Sequence, residues 1–432
     1  MKSGSGMSMK ARYWGFIKDP LYGYIRITDF EKKLIDTWPL QRLRRIRQLS
    51  GAEYVYPAAN HTRFEHSLGT MFLAKTLSES LPIEISLKEV EEVKIASLLH
   101  DVGHAPFSHL FEPILMKHLN KNHEDMTLWI VTKSELGDFL KKESFDPERI
   151  GKLAIGKLKD PSKKFLDQIL RSSVDVDKMD FVSRDSYHTG AGYGQIDIFR
   201  IIYTMDVLND NLAIDLTAIP TLETFLLARL ESFRTIYFHR ASRAVQIMLL
   251  KALEKAKDEL GLTSFKTPEE YLSLNDYIVW SMLNECSDSK GIMKDIERRK
   301  LLKCAYEKTF FIKDEFISSI LTNEGVRKSI EEEIASIARV SVDDVCIDTP
   351  SLPSVPYHHA IEVEPMEIPI FKKTKSGEKI PLRLTELSRI IDVMKVFMNI
   401  IRVYTKDEYR EAVSKASEKI LGKAPAVREV SY

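Results

Sequence analysis

Cysteine is nearly missing from this chain: only Cys286, Cys304 and Cys346 occur, far apart and with no Cys-x-x-Cys pair. That excludes a disulfide framework and a thiolate zinc site, and it fits a reducing, cytoplasmic setting. No run of about 18 apolar residues occurs, which excludes a membrane-spanning helix. Net charge is missing too, because 63 basic residues balance 63 acidic ones. A neutral chain offers no whole-molecule attraction for nucleic acid or anionic membranes, so neither is expected as a partner. Histidine is scarce, at 11 in 432 residues. What the chain does have is apolar content, 44% of its residues, enough for one large or two medium cores.

The opening run Met1–Lys10 is polar and rich in Ser and Gly, and reads as a tail or tag remnant outside the fold. Tyr13–Asp29 carries β-branched and aromatic residues on both sides of Asp19-Pro20 and Gly23, which predicts a short hairpin. From Phe30 the pattern is helical. Ser86 and Glu89 form a capping box, Val90, Val93, Leu98 and Leu99 supply a core face, and the helix runs into His100-Asp101 before Gly103 and Pro106 end it. Further helices are expected near Asn122–Thr132, Phe165–His188 and Thr221–Lys257. Asp344–Phe371 alternates apolar residues with Pro350, Pro353, Pro356, Pro365 and Pro369, so it reads as short strands and loops, with a helix to follow from about Leu384 to Val403. The expected fold is mainly α: a helical domain over 11–260 opened by the hairpin, then a smaller mixed α+β lobe over 261–432.

The scarce histidines cluster. His61, His66, His100, His104, His109 and His123 fall in one stretch. Adjacent His100 and Asp101 at a helix end can aim two side chains at one point; His66 offers another imidazole and Asp177 a carboxylate from a later helix. Two imidazoles and two carboxylates suit a borderline or hard divalent ion such as Mn, Fe, Zn, Ni or Mg, with positions left open for water and substrate. A His-Asp dipeptide alone carries little weight, since it is common by chance. The flanking text carries more: His61-Thr62-Arg63-Phe64-Glu65-His66, then His100-Asp101-Val102-Gly103-His104-Ala105-Pro106-Phe107-Ser108-His109, then Asp175-Val176-Asp177-Lys178-Met179-Asp180-Phe181. Asp177, Phe181, Arg184, Asp185 and His188 also share one helical face, and Arg229, Phe233, Tyr237 and Arg240 make a second stripe.

These motifs resemble the HD-domain deoxynucleoside triphosphate triphosphohydrolases, from Asp19-Pro20 through Glu124 and again at Asp175–His188 and Arg229–Arg240. The resemblance implies an HD helical core and one divalent ion held by His66, His100, Asp101 and Asp177, with Asp175 left as a solvated or capping carboxylate. It implies that His123 is the acid/base, Glu112 its orienting partner, and His104 and His109 neighbours of the phosphates. Arg63, Lys178 and Arg229 correspond to triphosphate contacts. Gln48, Leu49, Phe181, Asp185 and Tyr237 correspond to the nucleoside side, where a tyrosine can crowd out a 2′-hydroxyl. Asp36, Gln41 and Arg44 match a regulatory nucleotide site between subunits, and a dimer or tetramer is the implied assembly. Phe181, Phe233 and Phe238 replace tyrosine, histidine and glutamine of the family's mammalian member, so hydrogen bonds to phosphate or base are lost, and use of several dNTPs or of another phosphorylated nucleotide is expected. Within enzymes the other reading is an HD-type nucleotide phosphodiesterase or a phosphohydrolase for alarmone-like nucleotides. Outside them it is a nucleotide-binding regulator with weak activity.

Overall fold

The computed structural model describes residues 13–312, 323–350, 369–390 and 397–423. Met1–Lys10, most of the proline-rich stretch and residues 391–396 of the expected last helix lie outside them. The architecture is mainly α, with an N-terminal hairpin and small sheets towards the C-terminus.

Strands β1 (Tyr13–Asp19) and β2 (Gly23–Thr28) pair antiparallel, Ile17 opposite Ile25 and Asp19 opposite Gly23. Gly23 closes the turn at φ +77, a backbone setting that costs a side-chain-bearing residue energy. Ile25 and Ile27 turn inward and are buried, while Trp14, Phe16 and Tyr24 remain exposed.

Four helices build most of the site, and a fifth, later in the chain, adds Asp177. α1 (Arg63–Ser80) opens where the Glu65 carboxylate accepts from the Thr62 amide, and α2 (Leu87–Leu99) opens with the expected Ser86–Glu89 capping box. α3 (Glu112–Leu119) is short. α4 (His123–Lys133) is capped reciprocally by Asn122 and Asp125. These caps satisfy amides that a helix start would otherwise leave orphaned.

The expected Phe165–His188 helix is two helices. α5 (Lys164–Leu170) stops before Ser172-Ser173, and α6 (Val176–Thr189) restarts with Asp175 as its cap and ends at Gly190 in the left-handed region. The serines and Asp175 compete for backbone amides locally, which breaks the helix. Thr221–Lys257 is likewise interrupted. α7 (Ile219–Ser232) widens into a π turn over Phe233–Tyr237 before α8 (Arg240–Ala256).

The helix expected from Leu384 to Val403 is corrected. Among the described residues of that span Leu384–Leu387 and 389–390 are helical, and Phe397–Thr405 is a strand paired on both edges, with Lys303–Ile312 and with Cys346–Asp348. Its Ile, Val, Tyr and Thr content fits a buried pleated strand better than a helix. A second sheet runs Met205–Leu208, Asn211–Asp215, Ile370–Lys373 and Lys379–Leu382. The largest core holds Phe64, Leu98, Phe111 and Ile130 together with Leu262, Tyr271, Val279, Leu283, Met293 and Ile296. It therefore runs continuously past residue 260, where the sequence pattern was divided.

Candidate active site

His66 and Arg63 come from the first turn of α1, His100 and Asp101 from the end of α2, and Asp177 from the first turn of α6. The two His Nε2 atoms lie 3.2 Å apart. His66 Nε2 is 3.1 Å from Asp177 Oδ1 and 3.7 Å from Asp101 Oδ2, and His100 Nε2 is 3.3 Å from Asp101 Oδ1. On the far side of each ring an acceptor fixes the tautomer: Asp180 Oδ2 takes His66 Nδ1 at 2.7 Å, and the Ser97 carbonyl takes His100 Nδ1 at 2.7 Å. With both ring protons on Nδ1, two Nε2 lone pairs and two carboxylates face a common point, an arrangement that a cation relieves. The carboxylates call for positive charge at that point, and without an ion a second proton on His66 supplies it. Burial opposes charge on His66, yet hydrogen bonds to Asp177 and Asp180 lift it to about 10, and burial opposes Asp101, yet Arg63 and His100 hold it well below the carboxylate range. The donor set fits a divalent ion.

Next to this set lies an imidazole array. His104 Nε2 is 3.3 Å from Asp101 Oδ1, and its ring stacks on His123 at 4.3 Å and 14°. His109 stands edge-on to both rings, 4.7 and 5.2 Å away. Glu112, at the start of α3, accepts from His123 Nδ1 at 2.7 Å through one oxygen and from His109 Nδ1 at 3.0 Å through the other. Burial disfavours the Glu112 carboxylate, but those two bonds hold it ionised far below its ordinary range. Burial keeps His104 and His109 neutral, with Arg63 adding to the effect.

Arg63 bonds Asp101 Oδ2 at 2.5 Å and Ser108 Oγ at 2.7 Å, so its guanidinium bridges the two groups. Lys178 is drawn to its own helix cap, Nζ lying 2.5 Å from Asp175 Oδ2. Asp175 is a cap, as expected, but fully buried rather than solvated. Along the second stripe Tyr237 donates to Asp185 Oδ2 and stacks on Phe233 at 4.7 Å, while the other Asp185 oxygen meets His61 Nε2 at 2.8 Å. Leu49 packs with Tyr56, Tyr193 and Tyr237, and Phe181 is buried in a separate cluster with Val176, Met179 and Val182 of α6. Gln48 Oε1 is buried with no partner among the described residues. Arg229 is half-buried on α7. Arg240 leaves its stripe because of the π turn, and pairs with Glu307 at 2.9 and 3.0 Å. Asp36, Gln41 and Arg44 stand apart from all this near the surface: Asp36 pairs with Lys32, and Arg44 Nε donates to Gln41 at 2.9 Å.

Several residues that shape the site were not singled out by sequence. Phe107 and Ser108, in the loop bearing His104 and His109, have φ of +62 and +57. Non-glycine residues hold that conformation only when their surroundings enforce it, at about 1–3 kcal/mol each. Asp276, on α9 (Asp276–Glu285), accepts from Phe107 N at 2.7 Å and Arg47 N at 2.9 Å. Tyr271 donates to the Gly103 carbonyl, and buried Arg42 donates to the His104 carbonyl, at 2.7 and 2.8 Å. Their sequence signal is nil, because the contacts are long-range and partly to backbone. Asp180 had one: it lies three residues after Asp177, on the same helix face.

Burial pushes the Asp276 carboxyl up to about 6. Between the ordinary carboxylate range and pH 6 the folded chain then keeps a proton that the unfolded chain releases, so stability falls as pH rises through that window. Asp276→Asn is expected to remove this slope. Urea midpoints of both proteins from pH 4 to 6.5 check it; parallel curves would contradict it.

A helical scaffold that brings two histidines and two aspartates to one point, with a carboxylate-oriented imidazole array beside them, defines an HD-domain protein. Residues 63–185 match the HD domain and residues 196–430 the HD associated region. The chain belongs to the HD-domain phosphohydrolase family. It is 31% identical over 341 residues to the deoxynucleoside triphosphate triphosphohydrolase SAMHD1 homolog of Dictyostelium discoideum, covering 74% of this chain and 64% of that protein. The chain thus spans less than two thirds of that relative's length. Human deoxynucleoside triphosphate triphosphohydrolase SAMHD1 is 27% identical over 462 residues, 93% of this chain and 72% of the human protein. A hypothetical protein from Aquifex aeolicus shares the structure with a TM-score of 0.75 and 30% identity, over 93% of this chain and 99% of that one.

Proposed function

We propose that this protein hydrolyses deoxynucleoside triphosphates at the α-phosphorus, releasing deoxynucleoside and inorganic triphosphate. The observation that carries the reading is the adjacency of the His66, His100, Asp101 and Asp177 set to the Glu112-oriented imidazole of His123. A divalent ion held by that set would polarise phosphate oxygens and lower the barrier to attack by water. The residues do the rest. Arg63 sits beside Asp101 with its charge available to an α-phosphate oxygen, and His104 and His109, kept neutral, add no cost to desolvating the array. As the water oxygen bonds to phosphorus and the bond to the 5′-oxygen breaks, His123 Nε2 gives its proton to that leaving oxygen. The proton lost by water passes to solvent. Glu112 keeps the ring from turning.

On the nucleoside side Tyr237, braced by Phe233 and Asp185, forms a rigid wall that crowds a 2′-hydroxyl. The phenylalanines at 181, 233 and 238 offer a base no hydrogen bonds, so several dNTPs serve as substrates. Lys178 and Arg229 neutralise the triphosphate, Gln48 and Leu49 face the sugar and base, and Asp36, Gln41 and Arg44 take a regulatory nucleotide in a homo-oligomer.

Purified protein with each dNTP, each NTP and a phosphodiester, in Mn or Mg, tests the reading by product identification. Triphosphate and deoxynucleoside are expected from dNTPs; phosphate or pyrophosphate instead would sink the assignment of the cleaved bond. One observation favours a second reading. His104, His109 and His123 present ligand atoms within 4.8 Å of one another, so two ions per chain by elemental analysis would point to a two-metal phosphodiesterase.

A further inference from the structure

Behind His66 a buried polar network runs to the N-terminal hairpin. Asp180 has no solvent exposure, and its two oxygens collect four hydrogen bonds. Oδ2 takes His66 Nδ1 at 2.7 Å and Arg184 Nε at 2.8 Å; Oδ1 takes the Tyr22 hydroxyl at 2.8 Å and Arg184 Nη2 at 2.9 Å. Arg184, also fully buried, reaches on with Nη1 to 3.0 Å from Asp19 Oδ2. Asp19 builds the hairpin turn, its Oδ1 accepting from Leu21 N at 2.8 Å and Tyr22 N at 3.0 Å. The Tyr22 ring stacks on Phe72 of α1 at 5.1 Å. Room for the network comes from Gly69 on α1, where a Cβ would overlap Asp180 Oδ1 and Arg184 Nη2.

Packing a hairpin on a helical core does not require two buried carboxylates and a guanidinium. Apolar residues of similar volume would hold it as well, often with a gain in stability. The network ends instead on the ring nitrogen whose proton decides whether the other nitrogen of His66 is a lone-pair donor. Every group between the turn and that nitrogen is hydrogen-bonded or ion-paired to the next. Asp180 and Asp177 meet opposite sides of one imidazole, so a shift of Asp180 rotates the ring against the ligand set.

We propose that the hairpin turn is a built part of the metal centre: Asp19 and Tyr22, acting through Arg184 and Asp180, fix His66 with its Nε2 directed at the ion. These four are positioning residues. The inference rests on the metal reading above but not on the choice of substrate. It makes ion affinity sensitive to the seating of the hairpin, which touches no ligand directly.

The test is Mn²⁺ titration of the full chain without nucleotide, followed by calorimetry, with the d–d spectrum of the Co²⁺ form as a geometric readout. Asp180→Asn is expected to weaken Mn²⁺ binding roughly tenfold or more, the usual effect of losing a partner of a metal-bound histidine, and Tyr22→Phe about threefold. Tyr22→Phe keeps the ring and its stacking, so it removes one hydroxyl and nothing else. Because Tyr22 acts through Asp180, the double variant should bind no more weakly than Asp180→Asn alone, a non-additivity that general loosening of the fold would not produce. Wild-type affinity and spectrum in Tyr22→Phe would overturn the inference, as would effects that multiply in the double variant. Should Asp180→Asn fail to fold, Tyr22→Phe decides by itself. A wild-type chain that takes up no Mn²⁺ would overturn the metal reading too, whereas wild-type affinity in the variants overturns this inference alone.

Discussion

Asp177→Ala is expected to strip the protein of its divalent ion and lower hydrolysis by about a thousandfold or more. The size follows from the several kcal/mol of transition-state charge that a bound ion neutralises, at 1.36 kcal/mol per factor of ten. Asp177 is a sharp place to ask because Asp175, two residues away, is an equally good ligand by composition. The structure separates them by direction. Asp177 Oδ1 lies 3.1 Å from His66 Nε2, while Asp175 is consumed by the Lys178 amide and ammonium at 2.8 and 2.5 Å. Asp175→Asn should therefore keep the ion and most activity, since asparagine also caps helices well. Elemental analysis and turnover of the two variants, with circular dichroism to confirm folding, give the answer. Metal retained by Asp177→Ala and lost by Asp175→Asn would reverse the ligand assignment.

His123→Ala is expected to lower kcat by roughly 10²- to 10⁴-fold, the range for loss of a positioned general acid, with little change in KM or metal content. The ring lies outside the ligand set but stacks at 4.3 Å on His104, which touches Asp101. Loss of His123 should thus leave the ion in place while removing the proton donor. Glu112→Gln should give a smaller fall, since the amide still offers an acceptor to a ring proton but no negative charge. Steady-state kinetics with metal analysis on both variants check this. Unchanged turnover in His123→Ala would move the acid elsewhere, or favour a nucleotide-binding regulator over an enzyme. A drop that tracks lost metal would show instead that the array supports the ion.

Much of this site is readable in the sequence because its parts are local. The Ser86–Glu89 box starts a helix that places His100 and Asp101 at its end, and Arg63 and His66 share one turn of the next helix in space. Around Tyr237, sequence spacing served less well. A single helix from Thr221 to Lys257 would keep Arg229, Phe233, Tyr237 and Arg240 in one stripe, but the π turn at Phe233–Tyr237 sends Arg240 to Glu307. The Leu384–Val403 segment misled for a different reason. Its apolar residues fit a helical period, yet Phe397–Thr405 has strands to pair with on both edges, and edge partners are invisible to a local pattern.

The sequence by itself determined the local signals: the helix starts, the hairpin turn at Asp19–Gly23, and the donor chemistry of two imidazoles and two carboxylates. Those depend on neighbours within a few positions, so composition and spacing are enough. Only the tertiary structure decided what stands behind each donor. Asp180 reaches the Tyr22 hydroxyl across 158 positions, and Asp276 reaches the Phe107 amide across 169. Such contacts are specific only once the core has closed around them, because a buried hydrogen bond gains its value from the water it excludes.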